Sequence, residues 1–152
     1  MFSQTVEYAM RAMLALATGD GTPMTTRHIA EVMKVPQSYL SKVLQSLVKA
    51  GLVFSTRGLK GGFVLVKKPS EISLLEIQNA VNPIKRLHSC PLDLETHNSE
   101  LCPLHRRLDH AMGMVEEAFS RTTLSEVLSE NNPCPTLQNQ LNTLKEINQK
   151  PS

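Results

Sequence analysis

The chain contains no tryptophan, and only 4% of its 152 residues are aromatic. Two Tyr and four Phe cannot fill the interior of a chain this long, so Leu, Val, Ile, Ala and seven Met must do so, as in packed helices. Cysteine is scarce as well. Three scattered thiols are too few for a secreted disulfide scaffold, which leaves reduced cysteines or metal ligands. No apolar run approaches the roughly 18 residues of a membrane span, and the N-terminus lacks a basic-then-apolar leader, so a cytoplasmic protein without a membrane partner is expected. A glycine-rich phosphate loop, a nucleophile elbow and a metalloprotease helix are all absent, which argues against an enzyme.

What is present is unevenly charged. Residues 1–70 hold nine Lys/Arg against three Asp/Glu, whereas residues 71–152 hold seven against eleven. A basic first half is the electrostatic footprint of phosphate contact, and an acidic second half faces something else.

The hydrophobic periodicity supplies the frame. Val6, Ala9, Met10, Met13, Leu16 and Ala17 recur at helical spacing over residues 3–18, and a turn-forming stretch around Asp20 to Pro23 ends the helix. A short helix over residues 26–33 is stopped before Pro36, because proline disfavours helical geometry in the residue that precedes it. A third helix over residues 37–50 carries Leu40, Val43, Leu44, Leu47 and Val48 inward, with Gly51 at its end. Short helix, brief turn and longer helix form a helix-turn-helix pattern. Two β-prone runs, residues 52–57 and 63–67, then flank a Gly58-Leu59-Lys60-Gly61-Gly62 tip, which makes a basic hairpin. The fold class expected is mainly α with a small β-hairpin wing.

The leading turns of the third helix carry Gln37, Ser38, Tyr39, Ser41, Lys42 and Gln45. A recognition helix needs such short donors and acceptors where it enters the major groove. Arg57 and Lys60 on the wing, with Arg27 on the second helix, complete the expected contact set for double-stranded DNA.

After the hairpin, Ser73-Leu74-Leu75-Glu76 is a capping box opening a short helix to about residue 81. Residues 84–101 show no period. A long helix is expected from Pro103 to about residue 128, with Leu104, Leu108, Ala111, Val115 and Ala118 forming a seam suited to another helix. The polar residues from 131 onward, including Cys134 between two prolines, read as a flexible tail.

The densest chemistry lies between His88 and His110, which hold four of the five His and two of the three Cys. Cys90, His97, Cys102 and His105 have six, four and two residues between neighbours. Thiolate and imidazole are standard ligands of zinc and of iron–sulfur iron, although the spacing is not that of a zinc finger. Unligated side chains in a polar loop and a Cys90–Cys102 disulfide are the competing readings.

Four segments together resemble the Rrf-type winged-helix regulators over roughly residues 2–130. They are Glu7-Tyr8-Ala9-Met10-Arg11-Ala12, Val35-Pro36-Gln37-Ser38-Tyr39-Leu40, Leu47-Val48-Lys49-Ala50-Gly51-Leu52-Val53 and Arg57-Gly58-Leu59-Lys60-Gly61-Gly62-Phe63. The resemblance implies a homodimer whose long C-terminal helices cross, bound to a partly palindromic promoter site. In cluster-binding members three Cys with five residues between neighbours precede that helix, sometimes followed by a His; some members draw a carboxylate from the partner's first helix. Cys90, Cys102 and His105 match the outer Cys and the His, but Thr96 stands at the middle Cys. The resemblance therefore points to Cys90, Cys102 and His105 as ligands. His97, or Glu7 at the carboxylate position, would be the fourth, and an iron–sulfur cluster the cofactor, [2Fe-2S] before [4Fe-4S]. Zinc, or no cofactor at all, are the alternatives, and an ion pair with Arg11 is the plain reading of Glu7.

Three parts are expected: a winged helix-turn-helix over residues 1–82, a cofactor loop and dimerisation helix over 83–130, and a tail over 131–152. The function expected is a transcriptional regulator sensing iron–sulfur, redox or nitric-oxide status. The alternative is a cofactor-free regulator answering to a partner protein or small molecule.

Overall fold

The computed structural model describes residues 2–91, 100–130, 139–143 and 146. Helix α1 (Gln4–Thr18) starts at Ser3, whose side chain accepts from the Val6 amide. Helix α2 (Thr26–Met33) is capped in the same way by Thr25 and ends at Lys34, which takes a left-handed conformation with φ 55°. Helix α3 (Gln37–Lys49) begins after Pro36. At its end Gly51 adopts φ 75°, and the Leu52 amide reaches back to the Leu47 carbonyl at 3.1 Å. That left-handed turn favours glycine, and it aims the chain directly into the wing.

The wing is an antiparallel pair, β1 (Val53–Thr56) and β2 (Gly62–Leu65), in register Val53↔Leu65 to Thr56↔Gly62. A bridge between Met24 and Phe63 ties β2 to the α1–α2 connection. A single 3-10 turn (Pro69–Glu71) leads to α4 (Leu74–Val81), where Ser73 and Glu76 form the reciprocal cap. Residues 83–91 contain neither helix nor strand. They lead towards α5 (Pro103–Arg121), which is followed by α6 (Leu124–Ser129).

The expected helix from Pro103 to about residue 128 is thus two helices. It breaks at Thr122 and Thr123, both extended, where the Leu74 amide bonds the Thr122 carbonyl and the Leu124 amide bonds the Ile72 carbonyl. Thr123 and Glu126 form a second capping box, which restarts the helix in a new direction. The break carries Leu124 into full burial among Ile72, Ile77 and the α1 side chains.

The core is built from α1, α2, α3, β1, the Ile72 turn, α4 and Leu124, with Met13, Met24 and Met33 filling space that aromatics would otherwise occupy. None of its buried members comes from residues 103–121. Of the tail, only 139–143 and 146 are described; there residues 139–143 are helical and Leu141 is buried against the core. His97, Thr96 and Cys134 lie outside the described residues. No described helix is long and apolar enough to cross a membrane.

If α6 is pinned as a core element, Leu124→Ala should cost about 2–5 kcal/mol, the range for a fully buried leucine. Urea unfolding should show the loss, and a change below about 1 kcal/mol would mean that α6 packs only loosely.

Candidate metal centre and nucleic-acid interface

Two features of α5 set up the metal centre. Cys102 is its N-cap residue and Pro103 occupies the first turn, where a missing amide hydrogen costs nothing. His105 follows three residues later, so it lies on the same face as Cys102. Its Nδ1 is 3.1 Å from Cys102 Sγ and 3.5 Å from Cys90 Sγ. All three donor atoms lie within 4.8 Å of one another. Cys90 is buried and Cys102 half-buried, and both are free thiols in this structure. The Cys102 thiol is held below its ordinary pKa by the backbone N–H of His105, against opposing desolvation, with further help from the Leu104 amide and the Cys90 side chain. Amides at a helix N-terminus favour a thiolate for the same reason that they favour any anion.

Cys90 reaches this point because the segment before it is fastened to α5. Arg86 directs Nε and Nη2 at the two oxygens of Asp109, at 2.7 and 2.6 Å, and Nη1 at Glu116, at 3.0 Å. Asp109 also accepts from the Leu87 amide at 2.8 Å. The guanidinium lies across Gly113, where an added Cβ would come within 2.9 Å of Arg86 Nη1. Bidentate pairing with Arg86 and the Leu87 amide lower the Asp109 carboxyl to about 2. The ionic part of the fastening is therefore complete above the usual carboxylate range near 4 and fades only as pH falls towards about 2.

Glu7 pairs with Arg11 on its own helix and is not part of the Cys90–Cys102–His105 group of the same chain. Among the described residues no fourth His, Cys or carboxylate joins the three donors.

The candidate nucleic-acid residues fall into two kinds. Gln37, Ser38, Lys42 and Gln45 on α3, and Arg57 and Lys60 on the wing, are exposed. Among the described residues Lys42, Arg57 and Lys60 carry no ion pair. The others are engaged within the protein. Ser41 is half-buried and donates to the Gln37 carbonyl. Tyr39 bonds Thr5 at 2.7 Å and meets the Tyr8 ring edge-on at 5.4 Å, so it braces α3 against α1. Arg27 is exposed but paired with Glu31. Lys67 at the wing base is tied to Glu76 of α4 at 3.0 Å.

Sequence reasoning missed Arg86, Asp109, Gly113 and Glu116. The signal available was weak: an Arg in an aperiodic stretch, and acidic residues at helical spacing on the polar side of α5.

The profile of the family described as Rrf2, iron-dependent transcriptional regulator, matches residues 2–130. A protein of Aquifex aeolicus described as an HTH-type transcriptional regulator is 29% identical over 132 residues, which cover 85% of this chain and 92% of that one. A protein of Rhodobacter capsulatus described as an Rrf2-like regulator of the same type is 28% identical over 148 residues, covering 90% and 98%. Among solved structures, CymR, the global cysteine regulator of B. subtilis, has a TM-score of 0.69 and 29% identity, covering 87% of this chain and 98% of that one. IscR of T. potens has a TM-score of 0.70 and 25% identity, covering 87% and 88%.

Asp109→Ala should release the segment before Cys90. Without that acceptor the Leu87 amide should exchange roughly severalfold faster, and Cys90 should alkylate faster by a similar factor. Unchanged exchange at Leu87 would assign the fastening to other contacts.

Proposed function

Because the chain belongs to the Rrf2 family of transcriptional regulators, we propose that it works as a homodimer on a partly palindromic promoter site and responds to a metal centre held by Cys90, Cys102 and His105. One observation carries the reading: three ligand-type atoms converge within 4.8 Å at the start of α5, a helix with no buried residue in the single chain. The protein is a DNA-binding regulator and not an enzyme, as its family and fold indicate.

The dimer reading rests on the outward seam of α5. Leu104 and Leu108 are 63% and 45% exposed, Met114 is 60% exposed, and Ala111 and Ala118 are also open. An amphipathic helix of 19 residues left in this state loses the burial that would hold it. A second copy crossing along the seam restores it, at about 1.5–3 kcal/mol for each large side chain covered. The two α3 helices then address successive half-sites.

The DNA reading uses Gln37, Ser38 and Lys42 for the major groove. Arg57 and Lys60 act at the wing, with Tyr39 and Ser41 shaping α3 and Arg27 flanking it. The family likeness supplies an iron–sulfur cluster as the expected occupant of the centre, [2Fe-2S] before [4Fe-4S]; zinc also accepts such donors. Either occupant would supply a cross-link between the Cys90 segment and the first turn of α5. For the fourth ligand the candidates are His97 of the same chain and Glu7 of the partner subunit. Response requires that the metal bind one arrangement of the two DNA-reading halves better than another. A cytoplasmic location accords with this role.

Four measurements check these points. Operator affinity should differ at least about fivefold between metal-loaded and chelator-stripped protein, the lower end of ordinary allosteric coupling, and Cys102→Ser should remove the difference. Equal affinities would end the sensing reading and leave DNA binding intact. Lys42→Ala should lower the slope of log affinity against log salt by about one for each phosphate it no longer neutralises. Arg57→Ala should weaken operator more than random DNA; if both variants bind normally, the docking is wrong. Leu108→Glu should sediment as a monomer, and a persistent dimer would move the interface elsewhere.

A further inference from the structure

The donor geometry bears on how many metal ions the centre holds. In a tetrahedral site with nitrogen at about 2.0 Å and sulfur at about 2.3 Å from the ion, the nitrogen–sulfur edge is about 3.5 Å and the sulfur–sulfur edge about 3.8 Å. His105 Nδ1 stands 3.1 Å from Cys102 Sγ and 3.5 Å from Cys90 Sγ, and no pair among the three donors exceeds 4.8 Å. The two nitrogen–sulfur distances are therefore close to the edges of a single-ion tetrahedron, and the sulfur–sulfur distance is no more than 4.8 Å.

A cluster asks for something different. In a cubane each protein ligand binds its own iron, and in a two-iron rhomb at most two ligands share one iron. Three protein donors must then splay around a body of several atoms. Here a third thiolate at the middle position is also missing, since Thr96 stands there. A neutral hydroxyl is a poor substitute for thiolate at iron.

Nor is the segment before Cys90 free to back away. Leu87 and Arg86 are bonded to Asp109, one helical turn past His105 on the same face of α5. Moving Cys90 outward to a second iron would strain or break that charge-assisted pairing.

We propose that Cys90, Cys102 and His105 hold one tetrahedral divalent ion, zinc in type, rather than an iron–sulfur cluster. The inference rests on the reading that these three residues bind metal at all, and it decides what the centre reports. A two-thiolate, one-imidazole zinc site is not itself redox-active, so it registers whether the ion is present and not the oxidation state of a cluster. Three protein donors leave one vertex for a fourth ligand, which is the position through which such a site exchanges.

The test uses full-length protein, stripped of metal and reconstituted without oxygen. One sample receives Co(II) alone and another receives Fe(II), sulfide and Zn(II) together. The expected result is one Co(II) per chain with intense tetrahedral d–d bands and sulfur-to-cobalt charge transfer, displaced stoichiometrically by Zn(II). The mixed sample should retain one zinc and no acid-labile sulfide. Cys90→Ser should weaken Co(II) binding more than about 100-fold, beyond the range for loss of an outer-shell partner. His105→Cys should keep the site while intensifying the charge-transfer band, a change that misfolding cannot imitate. Retention of two irons and two sulfides per chain in the presence of zinc would overturn the single-ion inference while leaving the metal centre standing. If the wild-type chain holds no more metal than a Cys90→Ser, Cys102→Ser, His105→Ala variant, both fail, and the three residues are a hydrogen-bonded Cys–His group.

Discussion

The pairing of Arg86 with Asp109 ties the segment before Cys90 to α5. Its planar fork meets both carboxylate oxygens, a third nitrogen reaches Glu116, and Gly113 leaves the space in which the guanidinium lies. Asp109 holds the Leu87 amide as well, so backbone and side chain of one short segment are anchored to one turn of α5. Cys90 is then three residues from a fixed point. Its arrival beside Cys102 and His105 follows from that anchoring, because residues 83–91 have no helix or strand to steer them.

Helix α5 consequently has two working faces. Cys102, His105, Asp109, Gly113 and Glu116, at spacings of three and four, form a stripe that receives the Cys90 segment. Leu104, Leu108, Ala111, Val115 and Ala118 form a second stripe, offset by about 140° around the helix and left largely open in one chain. Whatever changes at the first stripe acts on the helix that presents the second. None of the core's buried residues comes from α5, so the core of the winged domain is assembled without that helix's side chains.

Much of the winged domain is legible in the sequence because its signals are local. Helical spacing in α1, Pro36 before α3, Gly51 after it and glycines at the wing tip each act within a few residues, and every one of those elements is present. The Ser73–Glu76 capping box is equally plain in the sequence and forms as expected. Its twin at Thr123–Glu126 is masked by the apolar spacing of residues 104–118, which suggests one helix running on through it. The break becomes compelling only when Leu124 is seen to fill a site beside Ile72 and Ile77, a packing arrangement that no window of neighbouring residues contains. Ser41 and Tyr39 show the same limit: both are polar and on the leading turns of α3, yet their hydroxyls are bonded within the protein.

By itself the sequence determined most element types, the basic first half and the gathering of Cys and His before α5, since propensity, turn chemistry and ligand chemistry reside in single residues and short spacings. Only the tertiary structure decided where α5 stops, which polar residues of α3 remain free, and that Cys90 meets Cys102 and His105 within 4.8 Å. The reason is that each of these depends on two distant segments meeting: Leu74 with Thr122, Tyr39 with Thr5, Arg86 with Asp109. Closing such a pairing costs chain entropy that is offset only when both sides are already held in place, and that condition belongs to the whole fold.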